Sequence, residues 1–286
     1  MTRWNIGQYR RELVRLCFGG AAAILAPSFP PADLGAQGIS ALTIAVVAAD
    51  DAVSKATLRG VDLGFREAAH AASLFRKKIQ RIDAPDCSKV KDAQVVIFAG
   101  DAASASDIAA ACAAAGVVFL NASASGDALR AQCSPFVFHV AASDAMRRRV
   151  AAGGAEGTTT EMWDASLERF GAGQLNDRFR ETGGEMGSAE WAGWMSVKIA
   201  WEAYLRRPEG TASAIAEWLA RDATHFDGHK GAPLSFRAWD HQLRQPLYIV
   251  DKGGRITEVP SLSRSDMPVR ELLDSLDEPP GQTRCA

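Results

Sequence analysis

Residues 227–250 read DGHKGAPLSFRAWDHQLRQPLYIV. The segment starts with a glycine turn, continues as a short apolar strand at residues 234–237, and ends in a second strand at residues 246–251. A basic and aromatic stretch separates the two strands. Directly afterwards, the sequence Asp-Lys-Gly-Gly at residues 251–254 predicts a tight hairpin turn before another strand at residues 255–259. The C-terminal part of the chain is therefore expected to end in a β-hairpin.

Upstream of this segment, predicted strands and helices alternate. The run ALTIAVVA at residues 41–48 is continuously apolar, which is typical of a strand buried on both faces. Further strands are predicted at residues 78–82, 93–99, 117–121 and 136–140, and helices at residues 54–75 and 107–115. This β-α-β-α-β order predicts an α/β fold with a doubly wound parallel sheet and right-handed crossovers.

The alternation breaks at residues 147–160, a connection rich in glycine, alanine and threonine. Three helices are predicted after it, at residues 161–181, 188–206 and 211–221. Three tryptophans in the second of these helices, Trp191, Trp194 and Trp201, lie near one helical face, which favours core packing. The tail at residues 261–286 is polar and contains prolines, so we expect it to be loosely held.

The composition limits the classes of function. With 32 basic and 34 acidic residues the net charge is −2, which argues against nucleic-acid binding. The sequence lacks a Walker motif, a G-x-G-x-x-G loop and a G-x-S-x-G nucleophile motif, and Cys112 and Cys133 have no base near them in sequence. We therefore predict that the protein is not an enzyme and needs no cofactor.

The first 36 residues are predicted to be an export signal. Four arginines come first, followed by an apolar run at residues 16–27 and a proline-rich stretch. Cleavage near Ala36 would deliver the mature chain to the periplasm. The pair Arg10-Arg11 resembles a twin-arginine signal, so the Tat and Sec routes both remain open, as does an uncleaved amphipathic anchor.

Export would also permit disulfide bonds. Four cysteines follow the predicted cleavage point, Cys87, Cys112, Cys133 and Cys285, and three pairings are open. Cys112 lies in the alanine-rich helix and is equally consistent with a buried thiol.

Three blocks of the sequence carry a family resemblance. The first is LRGVDLGFREAAHAASLF at residues 58–75, and the second is GDALRAQCSPFVFHVAASDAM at residues 126–146. The third begins with TEMWDASLERFGAGQLNDRF at residues 160–179 and runs through AEWAGWMSVKIAWEA to residues 227–250. Together they resemble one group of type I periplasmic substrate-binding proteins, the solute-binding components of ABC transporters associated with PQQ-dependent alcohol dehydrogenases. The resemblance implies a periplasmic, non-enzymatic protein that binds a small solute and works with an ABC permease.

One departure from that family is large. Type I binding proteins resemble two similar α/β lobes joined by a hinge, and a second lobe of on the order of 100 residues follows the block that ends at residue 146. Here only residues 147–160 intervene. We therefore expect a single lobe at residues 37–260, made of a first part (37–146), a shortened crossover (147–160) and returning helices and strands (161–260). The alternative is a divergent second lobe built from residues 161–286.

Polar residues at the strand ends are the candidate binding residues, because ligands of open parallel sheets bind outside the carboxyl ends of the strands. The candidates are Asp50, Asp51, Asp101, Ser104, Asn121, Ser123 and Ser125. The resemblance implies that, in amino-acid-binding relatives, hydroxyls and amides of these loops bind the α-carboxylate of the ligand. In this chain, however, Asp101 occupies the position where that anion would bind. We therefore expect a cationic or neutral solute. The same residue types are preferred helix N-caps, so capping alone also explains them.

The remaining candidates are weaker. His225, Asp227, His229, Asp240 and His241 lack the spacing of a metal site, which favours structural or surface roles, and whether any metal binds is left open. His139 lies on an apolar strand, as expected of a hydrogen-bonded core residue.

Two hypotheses of function follow. The first is a solute-binding component of the transporter. The second is a one-lobed accessory or interaction protein of the dehydrogenase system that no longer captures a solute. Loss of a lobe would expose apolar surface at the former cleft, so a homodimer or a periplasmic protein partner is a further hypothesis.

Overall fold

The computed structural model describes residues 41–87, 90, 92–262 and 266–277. The predicted export signal at residues 1–36, the end of the tail and Cys285 lie outside this part of the chain. Within it, the chain forms one five-stranded sheet and two three-stranded sheets. No helix of this described part has the length and apolar character needed to cross a membrane.

The five-stranded sheet is parallel throughout. Its strands are β1 (Ala41–Ala48), β2 (Lys78–Asp83), β3 (Val95–Ala99), β4 (Val118–Asn121) and β5 (Val137–His139), in the spatial order β2-β1-β3-β4-β5. The side chains of β3, β4 and β5 are all buried, and β1 is buried along most of its length. Continuous apolar runs thus correspond to strands covered on both faces, and the predicted α/β class with a parallel sheet is confirmed.

Eight helices connect or cover the sheets in the described part. They are α1 (Ala52–Leu74), α2 (Ala102–Ala114), α3 (Asp127–Arg130), α4 (Asp144–Ala151), α5 (Ala172–Arg180), α6 (Ser188–Arg206), α7 (Ala212–Leu219) and α8 (Val269–Asp274). Two apolar cores result, one on each face of the sheet. Helices α1 and α6 contribute to the larger core, and α2 covers the other face.

Helices α1 and α6 pack with their backbones in contact. A Cβ atom on Gly60 would lie 1.8 Å from the carbonyl oxygen of Glu190, and one on Gly193 would lie 2.1 Å from that of Thr57. Only glycine permits such an approach. At the same crossing the Arg59 guanidinium pairs with the Glu190 carboxylate. This contact fixes the returning helix α6 to the first helix of the fold.

The two smaller sheets are antiparallel. One has the order β11-β10-β6, from β6 (Thr159–Glu161), β10 (Leu247–Val250) and β11 (Ile256–Val259). The other joins β7 (Phe226–Asp227), β8 (Pro233–Phe236) and β9 (Leu243–Arg244). The predicted hairpin between β10 and β11 is confirmed: the Asp251 carboxylate accepts hydrogen bonds from the amides of Gly253 (2.8 Å) and Arg255 (2.9 Å).

The helix predicted at residues 161–181 is wrong in its first half. Glu161 belongs to β6, and the helix begins only at Ala172, after Gly171 adopts a φ of 85°. The cause is a long-range bond: buried Trp163 donates from Nε1 to Asn176 Oδ1 (2.8 Å), and Asn176 donates in turn to the carbonyl of Leu167 (2.9 Å). The connection predicted at residues 147–160 likewise contains most of α4 and part of β6.

The expectation of a loosely held tail is wrong for residues 269–277. Leu273 and Leu276 are buried in the main core. The carboxylate of Asp274 pairs with the buried Arg244 guanidinium at 2.7 Å, and that of Asp277 pairs with buried Arg237 at 3.0 Å. Buried guanidinium groups need a counter-charge, and the tail supplies it.

Cys87 and Cys112 form a disulfide, with their Cα atoms 5.4 Å apart. This separation is usual for the bond. The interpretation of Cys112 as a buried thiol is therefore wrong. The bond ties α2 to the segment after β2 on the outer face of the sheet.

Candidate functional site at the carboxyl edge of the sheet

The loops that follow β1, β3 and β4 meet at one edge of the parallel sheet. We call this edge, at residues 49–54, 100–104 and 121–127, the carboxyl edge. All seven predicted binding residues lie on it. Their surroundings differ, and so does the availability of their polar atoms.

Asp51 and Asp101 occupy equivalent positions at the first turns of α1 and α2. Asp51 accepts hydrogen bonds from the amide and hydroxyl of Ser54, both at 2.8 Å. Asp101 accepts from the amide (2.8 Å) and the hydroxyl (2.9 Å) of Ser104. These bonds hold the pKa of each carboxyl below its usual value, and a weaker effect of Asp51 raises that of Asp101. Two ionised, exposed carboxylates therefore face the same solvent region.

Asp101 also explains a difference from the sequence expectation. Helix α2 begins at Ala102, five residues before the predicted start at residue 107, because Asp101 caps it. Ser104 is consequently part of the cap, with its hydroxyl directed to Asp101.

Asp50 is highly exposed, with 92% of its side chain accessible, and it pairs with Lys55 at 2.6 Å. It lines an open depression of about 390 Å³ at the ends of β1 and β2, together with Asp83. Asp83 is also paired, with Arg81 at 2.8 Å, so a neighbouring cation balances each of these two carboxylates.

Asn121 and Ser123 have their polar atoms engaged within the protein. The fully buried Asn121 accepts from the amide of Ala124 (2.9 Å) and donates to the carbonyl of the same residue (2.7 Å). The hydroxyl of Ser123 donates to the carbonyl of Gly100 (2.6 Å) and accepts from its amide (2.8 Å). These bonds fix the loop after β4 to the loop after β3. Their role at this site is to hold the shape of the edge.

Ser125 is half-buried on the same loop. Its carbonyl accepts a hydrogen bond from the amide of Asp144 (2.8 Å). Its hydroxyl has no hydrogen-bond partner among the residues that the structure describes. Ser125 therefore has a free hydroxyl on the same edge as the capping carboxylates of Asp51 and Asp101.

Arg130 supports this loop from below, and the sequence analysis missed it. Its buried guanidinium donates to the carbonyls of Ala124 (2.8 Å), Gly126 (3.0 Å) and Ala141 (2.7 Å), and to Gln242 Oε1 (3.1 Å). Burial lowers its pKa to about 10, against the opposing effect of nearby carboxylates. The signal in the sequence was an arginine in the short helix directly after a polar strand-end loop.

The segment at residues 227–250 lies against β5. Gln242 donates from Nε2 to the carbonyls of His139 (3.1 Å) and Ala141 (3.0 Å), and Gln245 donates to that of Val140 (2.8 Å). His139 is buried, as expected, with Nδ1 near the amide nitrogen of Asn121 at 3.3 Å. Burial and the charge of Arg130 hold the pKa of His139 well below its usual value. The segment thus covers the open side of the sheet.

The other candidates have structural roles. Among the residues described, no group of three or more histidine, cysteine or acidic side chains is placed to hold a metal ion. His241 stacks on Phe138 at 4.4 Å, and Asp240 pairs with Arg237. Trp191, Trp194 and Trp201 are all buried in the main core, which confirms the packing prediction.

Comparisons with known proteins bear on this architecture. No family model matches the sequence, and a search of curated proteins gives no match. Solved structures do match. A periplasmic binding protein from Burkholderia mallei has a TM-score of 0.66 at 12% identity, over 87% of this chain and 99% of that one.

Two further matches are amino-acid-binding proteins. The branched-chain amino acid transporter substrate-binding protein of Streptococcus pneumoniae, in complex with isoleucine, has a TM-score of 0.62 at 12% identity, covering 77% of this chain and 98% of that one. A leucine-, isoleucine-, valine-, threonine- and alanine-binding protein from Brucella ovis has 0.63 at 13%, covering 85% and 99%. The fold is therefore that of the type I periplasmic binding proteins of ABC transporters.

Proposed function

We propose that this protein is a periplasmic solute-binding component of an ABC transporter. The observation that carries the proposal is the convergence of Asp51, Asp101 and Ser125 on the carboxyl edge of a sheet with this fold. Ligands of open parallel sheets bind at this edge. The groups there bind by charge and hydrogen bonding, without a covalent step.

The charge of the edge favours a cationic or neutral solute. Asp51 and Asp101 are exposed there and have no ion-pair partner among the described residues, whereas Asp50 pairs with Lys55 and the nearby Asp83 pairs with Arg81. A carboxylate ligand would meet repulsion from Asp51 and Asp101 together. An amine would meet the opposite field.

The partners and the compartment extend this proposal. The resemblance of residues 227–250 and its companion blocks supports an association with a PQQ-dependent alcohol dehydrogenase system, an ABC permease as partner, and export to the periplasm. The short stretch between the first block and the returning helices supports a single lobe that lacks its second half. A single lobe leaves the bound solute half exposed, so we expect weak binding.

A thermal-shift panel of amines, amino acids and alcohols tests the proposal. A solute that binds only the folded chain at 100 times its Kd adds about 2.7 kcal/mol to the free energy of unfolding. We expect stabilisation by at least one cationic or neutral solute. A flat panel would contradict solute capture.

Asparagine variants separate charge from capping. Asp51→Asn and Asp101→Asn keep an N-cap, since asparagine caps as well as aspartate, but remove the two charges. We expect the double variant to fold like the wild type and to lose stabilisation by amines. Asp177→Asn, which removes an exposed carboxylate on α5, is the matched control.

The second candidate function is a one-lobed accessory protein of the same system. The engagement of Asn121 and Ser123 inside the protein favours it, because two of the predicted contacts are thereby withdrawn from a solute. A flat solute panel together with a defined complex between the purified chain and a dehydrogenase or permease component would favour this function over the first.

A further inference from the structure

A second cavity lies away from the carboxyl edge, between the loop before α5 and the β10–β11 hairpin. Its volume is about 380 Å³. We call it the loop–hairpin cavity, and its relevant lining residues are Arg169, Phe170, His229, Tyr248, Ile256 and Glu258. None of the predicted binding residues lines it.

Tyr248 supplies an unpaired hydroxyl to this cavity. The residue is buried, with 4% of its surface accessible, and its hydroxyl has no hydrogen-bond partner in the described part of the chain. The hydroxyl oxygen is not among the fully buried unpaired atoms, so it keeps some exposure on the cavity side. Buried phenols usually find a partner. Lys230 fixes the ring from behind, with Nζ 5.4 Å from the ring centroid and bonded to Gln245 Oε1 (2.8 Å).

Glu258 lies beside Tyr248 on the same wall. The two residues are directly paired across β10 and β11, so their side chains share one face of the sheet. Among the described residues the carboxylate has a single hydrogen bond, from the amide of Leu262 at 3.3 Å. Burial raises the pKa of Glu258. The wall thus presents a phenol and a carboxyl group with capacity for further hydrogen bonds.

The opposite wall is apolar and fixed in position. Phe170 is 53% exposed, although its backbone is held at a φ of 59°. The carbonyl of Phe170 lies 3.2 Å from His229 Nδ1, and a Cβ on Gly231 would lie 2.4 Å from the Phe170 ring. The loop is therefore set against residues 229–231 and holds the ring where a ligand can contact it.

The charges around the cavity nearly cancel. Glu168 and Arg169 carry opposite charges, and Arg169 stacks on Phe170 at 4.8 Å. Burial raises the pKa of Glu258 and lowers that of Lys230 behind Tyr248, which favours the neutral form of both groups. Neither a cationic nor an anionic ligand would gain a net electrostatic attraction from this arrangement. A hydroxyl group, in contrast, can accept a bond from Tyr248 and donate one to Glu258 at once.

We propose that the loop–hairpin cavity is a binding site for a small uncharged alcohol or phenol with an apolar body. The hydroxyl lies between Tyr248 and Glu258, and the apolar body lies against Phe170 and Ile256. This site does not depend on the carboxyl edge, so it extends the proposed function and does not rest on it.

Three probes of one shape test the charge preference. Benzyl alcohol, benzylamine and benzoate differ mainly in the charge of the polar end. Titration calorimetry and ligand-observed NMR on the full chain should show saturable binding of benzyl alcohol, at least about tenfold tighter than either charged probe. No saturable binding of benzyl alcohol, or tighter binding of a charged probe, would overturn the proposal.

Two variants locate the site. Tyr248→Phe removes one hydroxyl and should weaken benzyl alcohol binding about five- to tenfold, the worth of one hydrogen bond. Phe170→Ala removes the exposed ring and should weaken it by a similar factor, with circular dichroism and urea denaturation showing that the chain still folds. Tyr204→Phe makes the same chemical change in the core, away from the cavity, and should bind as the wild type does.

The outcomes also separate the two proposals. If Tyr248→Phe binds benzyl alcohol as tightly as wild type does, the cavity assignment is wrong. If binding is instead lost in the Asp51→Asn, Asp101→Asn double variant, the solute belongs to the carboxyl edge, and the proposed function stands without this site.

Discussion

The carboxyl edge and the loop–hairpin cavity satisfy their polar groups in opposite ways. At the carboxyl edge, Asp51, Asp101, Asn121 and Ser123 all bond to nearby backbone or side-chain groups. In the cavity, Tyr248 is buried and its hydroxyl is unpaired. Polar residues at the strand ends mark a binding edge, whereas the unpaired Tyr248 hydroxyl marks a cavity that can hold a ligand. The buried hydroxyl of Tyr204 is also unpaired but lies in the core, so it is the cavity together with the unpaired group that indicates a site.

The largest effect should come from Arg130, whose buried guanidinium supports the loop of the carboxyl edge with four hydrogen bonds. Arg130→Leu removes the four hydrogen bonds that the buried guanidinium donates to the carbonyls of Ala124, Gly126 and Ala141 and to Gln242, so we expect a loss of about 3–5 kcal/mol in the free energy of unfolding. Urea denaturation measures it. Arg148→Leu, at an exposed arginine that pairs with Asp127, should change the free energy of unfolding far less, because solvent screens an exposed ion pair. Similar losses of stability in the two variants would contradict the role of Arg130 as the support of the carboxyl edge.

A second difference concerns pH. The pKa of His139 under the edge is lowered, so below pH 6.5 the unfolded chain takes up a proton that the folded chain does not. Stability contributed by this group is present above that pH and is lost as pH falls, by up to about 1.4 kcal/mol per pH unit. Denaturation between pH 7 and 5 measures the slope.

Substitution shows whether His139 is the source of that slope. His139→Gln should flatten the pH dependence, whatever its stability at pH 7. His225→Gln, at an exposed histidine, should keep the wild-type slope. An unchanged slope in His139→Gln would contradict the assignment.

The cavity should respond to pH in the opposite direction. The pKa of Glu258 is raised, so its contribution to stability falls as pH rises from about 4.5 through the folded-state pKa. Glu258→Gln should remove this small effect and leave the slope near pH 6 intact. If both slopes disappeared together, the two regions would not be independent.

The smallest expected effect on stability is that of Asp101→Asn, because the cap is retained. Its expected effect is on binding, with weaker affinity for amines and unchanged affinity for benzyl alcohol. Isothermal titration with both probes measures this. A loss of affinity for both probes would show that the edge and the cavity belong to one site.

The sequence predicts most of the sheet and the regular helices around it, but not the elements whose ends depend on long-range contacts. Apolar runs such as residues 41–48 show their burial directly, and Ser188–Arg206 follows from its helical spacing. The helix predicted at residues 161–181 fails because Trp163 bonds to Asn176, a contact that local propensity does not encode. The tail fails for the same reason, since Asp274 and Asp277 pair with arginines about 30 to 40 residues earlier.

The residues of the candidate sites also differ in whether local sequence is enough to predict them. Asp50, Asp51 and Asp101 follow strands, so their place at the carboxyl edge could be predicted from strand order alone. Arg130 could be suspected only from its position in a short helix. Tyr248 and Glu258 could not be found at all, because their proximity depends on the register of the hairpin and on a loop about 80 residues earlier.

The most direct test of this account is amide chemical-shift mapping of the full chain with benzylamine and benzyl alcohol added separately. We predict that benzylamine shifts the amides of residues 50–54 and 101–104. We predict that benzyl alcohol shifts those of residues 169–171, 248 and 258. Two separate sets of shifted amides would support two sites of different chemistry, and a single shared set, or no shifts at saturating concentrations, would contradict it.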